Sequence, residues 1–248
     1  MNFKDYFSKQ SKEYSRHRPS YPKELYKYLA GLCDNRNAAW DCATGNGQAA
    51  IALAEYFDLV YATDASEEQI SNAFPHPKIK YAIALSENSG LPDNSVDLIT
   101  VATAIHWFNH DNFHKEVSRV IKPGGKIATW NYTGTKINDE VDEIVRYFTY
   151  DILGKYWDAN LLKVFNDETA YELPFKKLVP PKIIMEEEWE MQQLINFLCT
   201  WSAVQNYVNK KNSNPIDIIY DKLLSAWGTE NEKKKINWKL LVRVYEVE

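Results

Sequence analysis

The 248-residue chain is 45% hydrophobic and 14% aromatic, enough apolar material for one sizeable core, and its formal charge of −5 excludes the clustered Lys/Arg attraction on which nonspecific nucleic-acid binding rests. The three cysteines, Cys33, Cys42 and Cys199, form no C-x-x-C pair, so neither a disulfide framework nor a zinc site is implied and a reducing, cytoplasmic setting is expected. No segment approaches the roughly 20 apolar residues of a membrane helix, and the polar, aromatic start of the chain does not read as a signal peptide, which leaves a small molecule as the expected partner rather than nucleic acid or a membrane.

Residues 22–32 carry Leu25, Tyr26, Leu29 and Leu32 at the spacing of one helix face, with Pro22 suited to the first turn. A short buried run at 38–42 stops at Thr44-Gly45-Asn46-Gly47, and 48–57 again reads helical, so the order is strand, glycine turn, helix. Residues 59–63 make a second strand ending at Asp64; Ala65-Ser66-Glu67-Glu68-Gln69-Ile70 opens another helix, and 79–85 makes a third strand. The stretch 96–103 is almost continuously apolar, as in strands buried on both faces of a parallel sheet. A helix over about 111–121 follows, Pro123-Gly124-Gly125 stops it, and 126–130 forms a fifth strand. Strands alternating with helices at this pitch predict a doubly wound α/β sheet whose ligands gather at the carboxyl ends of the strands.

Beyond Asn131 the periodicity weakens. A helix is expected over 140–153, and another over 192–208, where Leu194, Ile195, Phe197, Leu198, Trp201, Val204 and Tyr207 form one apolar stripe that reads as core. Two late strands are expected at 183–191 and 240–247, while the runs Glu186-Glu187-Glu188 and Lys233-Lys234-Lys235 read as solvated surface. There is no internal repeat.

The glycines of the first turn allow a backbone to approach a ligand without a Cβ in the way. Asp64 falls at the tip of the second strand, where a carboxylate can accept both hydroxyls of a ribose. The third strand ends at Ser86-Glu87 and the fourth at Thr103-Ala104-Ile105-His106-Trp107-Phe108, so four successive tips offer polar or aromatic groups to one crevice. Gly45-x-Gly47-x-x-Ala50 followed by Asp64 also fits a dinucleotide fingerprint, so spacing alone leaves a nicotinamide-dependent oxidoreductase open. Against it, the Tyr-x-x-x-Lys spacing from Tyr132 to Lys136 contains Gly134 in a Thr-rich turn, where a helix is not expected. His106, His110 and His114 stand four apart, the spacing of metal ligands along a helix. Asn109 and Asp111 read as helix starters, however, which puts His106 before the helix, and no metal is expected.

Asp41-Cys42-Ala43-Thr44-Gly45-Asn46-Gly47, an acidic tip on the second strand, Leu91-Pro92-Asp93-Asn94-Ser95-Val96-Asp97-Leu98 and Ile121-Lys122-Pro123-Gly124-Gly125, in this order, resemble the class I S-adenosylmethionine-dependent methyltransferases over roughly half the chain. Within that superfamily, Tyr14-Ser15-Arg16-His17-Arg18-Pro19-Ser20-Tyr21-Pro22, Ala104-Ile105-His106-Trp107-Phe108 and Trp201-Ser202-Ala203-Val204-Gln205 resemble the trans-aconitate methyltransferase-like group and extend the likeness to nearly the whole chain. The resemblance implies one domain, with an N-terminal lid and helix at 1–35, a cofactor-binding core at 36–135, and a helical substrate cap with the last strands at 136–248. It further implies a mostly parallel, seven-stranded sheet with an antiparallel last strand.

By the same resemblance Ala43, Gly45, Asn46 and Gly47 lie against the methionine part of S-adenosylmethionine, Asp41 near its amino group, and Asp64 with Ala65 at the ribose. Gln69 would flank the adenosine, Ser86 and Glu87 the adenine edge, and Thr103 and Ala104 the path of the chain beside the cofactor. Ala43 departs from the commoner glycine. Tyr14, Arg18 and Tyr21 would belong to a lid, with Arg18 pairing a carboxylate of cofactor or substrate. Tyr21, His106, Trp107 and Trp201 would line the acceptor pocket, and His106 is the candidate base. A small carboxylic acid, the acceptor the resemblance suggests, is already ionised at neutral pH and needs none. A methyltransferase-like fold that has lost catalysis and serves as a binding subunit is the other alternative.

Overall fold

The computed structural model describes residues 17–248. Its sheet is built on strands whose alternate residues face opposite ways. In β1 (Ala38–Cys42), β4 (Val96–Ala102), β5 (Ile121–Lys136) and β8 (Lys234–Glu246), the residues Ala39, Leu98, Ala128 and Val244 bury against one face, while Trp40, Ile99, Ile127 and Tyr245 bury against the other. The first face is covered by α1 (Lys23–Gly31) and α2 (Gln48–Leu53), whose Leu25, Leu29, Ala50 and Leu53 are fully or almost fully buried. The second is covered by α4 (His110–Val120) through Phe113, Val117 and Val120. Every residue of β1 is therefore buried, Asp41 included, as in a strand covered on both faces.

With β2 (Leu59–Asp64), β3 (Ile79–Ile83), β6 (Lys176–Leu178) and β7 (Met185–Trp189), the order across the sheet is β3-β2-β1-β4-β5-β8-β6, and β7 also pairs with β8. β1 to β5 pair in parallel, and β8 is antiparallel to β5. The expected seven positions are present, but eight strands fill them. The place beyond β8 is shared by β7 along its first half and β6 along its last three residues. β8 also begins earlier than its apolar residues suggest, so the two charged runs, largely solvent-facing as expected, lie on paired edge strands. Lys234 and Lys235 belong to β8 and lie opposite Trp189 and Glu188, and Lys235 pairs with Glu186 at 2.9 Å. Opposite charges across a strand pair make the two runs compatible with a sheet edge.

Two of the sequence signatures prove to be joints. Asn94 and Ser95 donate their backbone N–H groups to Arg119 and Val120 carbonyls at 2.9 and 2.8 Å, closing the end of α4, and Asp97 accepts from the Ala38 N–H and the Lys122 ammonium. At the Pro123-Gly124-Gly125 corner, a Cβ on Gly125 would sit 2.6 Å from Ile121 Cγ1 and 2.9 Å from the Lys122 carbonyl, so only glycine lets β5 fold back. The corner is a kink inside β5, which starts five residues before the expected strand.

After β5 the chain forms a helical cap with its own core around Phe148, Trp189, Phe197 and Trp227. It comprises α5 (Asp139–Tyr147), which runs on into a π-helical turn (Phe148–Ile152), then α6 (Ala159–Asn166), α7 (Met191–Cys199), α8 (Ser202–Lys211) and α9 (Tyr220–Trp227). The stripe expected as one helix over 192–208 is two helices. The last turn of α7 closes with the Thr200 and Trp201 N–H groups on the Phe197 and Leu198 carbonyls, and Trp201, in extended conformation, starts α8 in a new direction. α3 (Glu67–Ser71) is short and capped by the Ser66 hydroxyl, which accepts from the Gln69 N–H. Among the described residues, no helix is long and apolar enough to cross a membrane.

Candidate active site

The carboxyl ends of β1 to β5 lie along one edge of the sheet. At the end of β1, Asp41 is completely buried and its two carboxylate oxygens accept the Thr44 and Thr100 hydroxyls at 2.6 and 2.7 Å. Burial pushes its pKa up to about 6, overcoming the opposing effect of those bonds. A carboxylate held at such a cost at a strand tip is a candidate functional position. The chain then turns through three left-handed residues in five, with φ of 55° at Ala43, 58° at Gly45 and 90° at Gly47. Ala43 is the departure from glycine noted in the sequence, and its Cβ is carried at a conformation that costs an L-residue about 1 kcal/mol.

Gly47 is glycine for a steric reason. A Cβ there would meet the Tyr81 hydroxyl at 2.3 Å and its ring at 3.1 Å, because Tyr81 reaches from β3 under the turn to donate to the Phe74 carbonyl at 2.8 Å. Above Gly45, by contrast, nothing lies closer to a would-be Cβ than Gln69 Oε1 at 3.8 Å. The turn is therefore packed from below by Tyr81 and open above, the shape a ligand chain needs.

Asp64, at the tip of β2, accepts the Gly45 N–H at 2.8 Å and the Ser66 N–H at 2.9 Å, so one half-buried carboxylate ties the first turn to the second and to α3. Gln69 is buried behind it and Ala65 stays partly open. At the third tip Ser86 is buried, while Glu87 reaches across to accept the Asn109 N–H at 2.6 Å. That bond places Glu87 between the β3 and β4 connections. At the fourth, Thr103 has a φ of 54° and its hydroxyl shares a hydrogen bond of 2.9 Å with the Tyr21 hydroxyl. Ala104 is buried and leads into a 3₁₀ turn, Ile105–Trp107.

The segment before α1 crosses this edge. The Ser20 N–H donates to Glu187 of β7, the Pro19 carbonyl accepts from Gln48 of α2, and Tyr21 packs edge-on to Trp130 and Tyr132. Arg18 donates to the Tyr132 hydroxyl at 2.7 Å and to the Thr200 carbonyl, with its guanidinium over the Phe197 ring. The two expected lid residues Arg18 and Tyr21 thus meet the site, Arg18 on its cap side; Tyr14 lies outside the described residues. Trp201 packs among Phe148, Trp157 and Phe197 in the cap.

His106 lies in the 3₁₀ turn, before α4, whose start is capped by Asn109. Its ring packs on Trp107 at 4.6 Å and its Nδ1 is buried without a partner. Burial holds its pKa down at about 4, with Asp158 opposing, so the imidazole is neutral at physiological pH. His110 and His114 are carried by α4 and turn instead to Tyr171 and Phe175; among the described residues no cluster of His, Cys, Asp or Glu fits a metal.

These tips are those of a methyltransferase domain, whose family model matches residues 40–129. A Dictyostelium discoideum protein assigned to the methyltransferases is 32% identical over 238 residues, 94% of this chain and 90% of its own length. The chain belongs to the class I S-adenosylmethionine-dependent methyltransferases. A solved structure, assigned as a type II methyltransferase from Anaeromyxobacter dehalogenans, superposes with a TM-score of 0.86 at 36% identity, covering 92% of this chain and 97% of that one. The S-adenosylmethionine-dependent methyltransferase CRG1 of Saccharomyces cerevisiae is 30% identical over 167 residues, 61% of this chain and 56% of its own.

Family membership decides against the nicotinamide reading and for an enzyme whose cofactor is S-adenosylmethionine. The structure agrees on the first point, since Tyr132 and Lys136 lie in β5 and not on a helix. A second Tyr-x-x-x-Lys spacing, Tyr207 to Lys211, does lie on α8, but Tyr207 packs on Tyr156 in the cap. The residues present leave room for that cofactor: over Gly45 nothing lies closer to a would-be Cβ than 3.8 Å, with the half-buried Asp64 and the buried Gln69 beside it. The sequence missed Tyr81 and Thr100, which support the turn from other strands. A polar residue inside the β4 apolar run was the one signal for Thr100.

Proposed function

We propose that this methyltransferase transfers a methyl group to an oxygen of a small carboxylic acid, at the edge of the sheet between Thr103 and the helical cap. S-adenosylmethionine, when bound, supplies a methyl group already activated by the sulfonium charge. What remains for the protein is to bind, to orient and to exclude water, and alignment alone is worth several kcal/mol. Ala43, Gly45, Asn46 and Gly47 would hold the methionine part, Asp64 the ribose, and Gln69, Ser86 and Glu87 the adenosine. Tyr21, braced on Thr103, and Arg18, braced on Tyr132 and Thr200, close the edge from the cap side.

The observation that carries the acceptor reading is the neutral, buried His106, packed on Trp107. An acceptor that must lose a proton needs a base poised near the working pH, whereas an imidazole held near 4 is a weak one. A carboxylate requires no deprotonation. His106 then serves the pocket as a hydrogen-bonding and packing group together with Trp107, Tyr21 and Trp201. The net charge of −5, with no excess of Lys and Arg, supports a small molecule as the partner rather than nucleic acid. The test is transfer of labelled methyl from S-adenosylmethionine to a panel of small carboxylic acids, phenols and amines, with calorimetric titration of the cofactor. Labelled, base-labile esters from acids alone are expected; methylation confined to amines or phenols would overturn the reading.

A further inference from the structure

Among the described residues, the buried carboxylates and Lys126 have a charged or hydroxyl partner at hydrogen-bond or ion-pair distance, whereas Arg243 has no ion pair. Asp97 pairs with Lys122 at 2.7 Å, Glu116 with Arg119 at 2.7 Å, Lys126 with Glu246 at 3.2 Å, and Asp41 has its two threonine hydroxyls. Arg243, 5% exposed on β8, has no carboxylate within ion-pairing distance among the described residues. Its guanidinium donates to the Asn131 side-chain oxygen at 3.1 Å and to the Glu168 carbonyl, both neutral. The carboxylate that acts on it is that of Asp167, exposed in the turn beside Glu168 and outside ion-pairing distance, so this buried cation is compensated only from afar, a costly arrangement for a fold.

Its neighbours point the same way. Arg243 stands directly opposite Thr129 of β5, and Asn131 is two residues further along the same face toward the carboxyl edge of the sheet. Thr129 and Asn131 are 1% and 3% exposed, and Thr129 Oγ1 and Asn131 Nδ2 are both buried without a hydrogen-bond partner. The contact to Asn131 directs the guanidinium along β5 toward the edge that carries Thr103, whose N–H bonds the Trp130 carbonyl. The cover over Arg243 is the Glu168 backbone, in the turn that follows α6, the helix packed on the 3₁₀ turn of His106. A cation and two unsatisfied hydrogen-bonding groups therefore share one face next to the acceptor side of the crevice. A carboxylate satisfies all three: two oxygens for the guanidinium fork, with lone pairs left for the amide and the hydroxyl.

We infer that Arg243, Asn131 and Thr129 form a binding site for a carboxylate group, the anchor of the methyl acceptor. The assignment to the acceptor rests on the carboxylic-acid reading above; the carboxylate site itself does not. Arg243 is on this account a specificity-determining residue that sets acceptor affinity and leaves cofactor affinity alone.

The experiment measures the melting temperature of the protein, saturated with S-adenosylhomocysteine, against acetate, succinate and benzoate and against acetamide, succinamide and benzamide. At least one acid should raise the melting temperature of the wild type by several degrees where its amide does not. Arg243→Gln should lose that shift and Arg243→Lys should keep part of it. Should Arg243→Gln fail to fold, Asn131→Asp decides, because it places a carboxylate beside Arg243 without changing shape. It should raise the melting temperature without ligand and abolish the response to acids. No response in the wild type, or a full response in Asn131→Asp or Arg243→Gln, would overturn the site. Labelled-methyl transfer separates this from the acceptor reading. Transfer to acids with KM unchanged in Arg243→Lys and Asn131→Asp removes the anchor and leaves the acceptor class. Protection by acids with no transfer to any of them does the reverse. With both correct, KM for the acid rises at least tenfold in Asn131→Asp while kcat and cofactor affinity stay within threefold.

Discussion

The two ends of the crevice are built by opposite means. At the β1–β2 end, Asp41, Thr44, Gly45, Gly47, Asp64 and Ser66 lie within 26 consecutive positions, and turns and strand tips bring them together with hydrogen bonds of 2.6 to 3.0 Å. At the β5–β8 end, Arg18 meets Tyr132 and Thr200, Tyr21 meets Thr103, and Arg243 meets Asn131. Each of those contacts spans more than 80 residues of chain. The first end is set by local geometry and the second by the packing of the whole cap. Changes at the first should therefore act on the cofactor, and changes at the second on the acceptor.

The largest expected effect tests how rigid the local end is. Gly47→Ala puts a methyl group 2.3 Å from the Tyr81 hydroxyl at a φ of 90°, and should cost more than about 3 kcal/mol in chemical unfolding together with cofactor binding. Tyr81→Phe alone should cost about 1 kcal/mol for the lost bond to Phe74. Combined, the two should cost less than their sum, since the hydroxyl is gone but the ring remains 3.1 Å away. Additive losses would show that the turn does not rest on Tyr81.

Next in size is Asp41→Asn. Burial raises the Asp41 pKa from 3.8 to about 6, so the folded state holds a proton that the unfolded chain releases between those values. Stability from this group is present below pH 4 and is lost as pH rises to about 6, by about 3 kcal/mol. The amide keeps the shape without the charge. Asp41→Asn should therefore be more stable than wild type at pH 7.5, by up to about 3 kcal/mol in urea melts, while binding S-adenosylmethionine more weakly. A variant destabilised at that pH would mean that the hydroxyl bonds outweigh desolvation.

This contrast also explains what could be read before the structure was known. The strand–turn–helix order through 38–70 and the tips at Asp41, Asp64 and Ser86 were legible because apolar period and turn chemistry act over a few residues. Glycine at Gly47 was legible as a turn, whereas its partner Tyr81 sits 34 positions away and carries no local mark. The cap was less legible for a physical reason: Trp201 belongs to an apolar stripe of helical period, yet the stripe breaks there because α7 and α8 pack in different directions. Arg243 lies in an alternating strand, where a charged residue reads as solvent-facing. It is buried through contacts far along the chain, with Asn131 of β5 and with the Glu168 turn.

Asp64→Ala probes the link between the two local turns. It removes the acceptor of the Gly45 and Ser66 N–H groups and, on the proposed cofactor placement, of the ribose hydroxyls, so cofactor affinity by calorimetry should fall by about 1–3 kcal/mol. The KM of the acid should stay within about threefold if the two ends are independent, a bound set by about 0.6 kcal/mol of coupling. Equal losses at both ends would break the comparison, and unchanged cofactor affinity would count against the ribose assignment.

His106→Gln should have the smallest effect, and it bears on the acceptor end alone. A general base contributes about 10²–10⁴-fold, so loss of that role would be unmistakable against the fivefold or smaller change in kcat/KM, about 1 kcal/mol, expected for a packing and hydrogen-bonding group. The pH dependence supplies the second readout. With burial holding the folded pKa near 4 against 6.5 for the free imidazole, His106 binds its proton less readily in the folded state, so its contribution to stability is full above pH 6.5 and is lost as pH falls toward 4. Asp41 acts in the opposite sense over nearly the same interval, and in the wild type the two slopes offset one another. His106→Gln should therefore leave activity nearly unchanged yet make the protein gain stability between pH 6 and 4. Asp41→Asn should make it lose stability there. A thousandfold fall in kcat/KM, or a pH–rate limb near 6 that vanishes with the imidazole, would instead make His106 the base and the acceptor a group that must first be deprotonated.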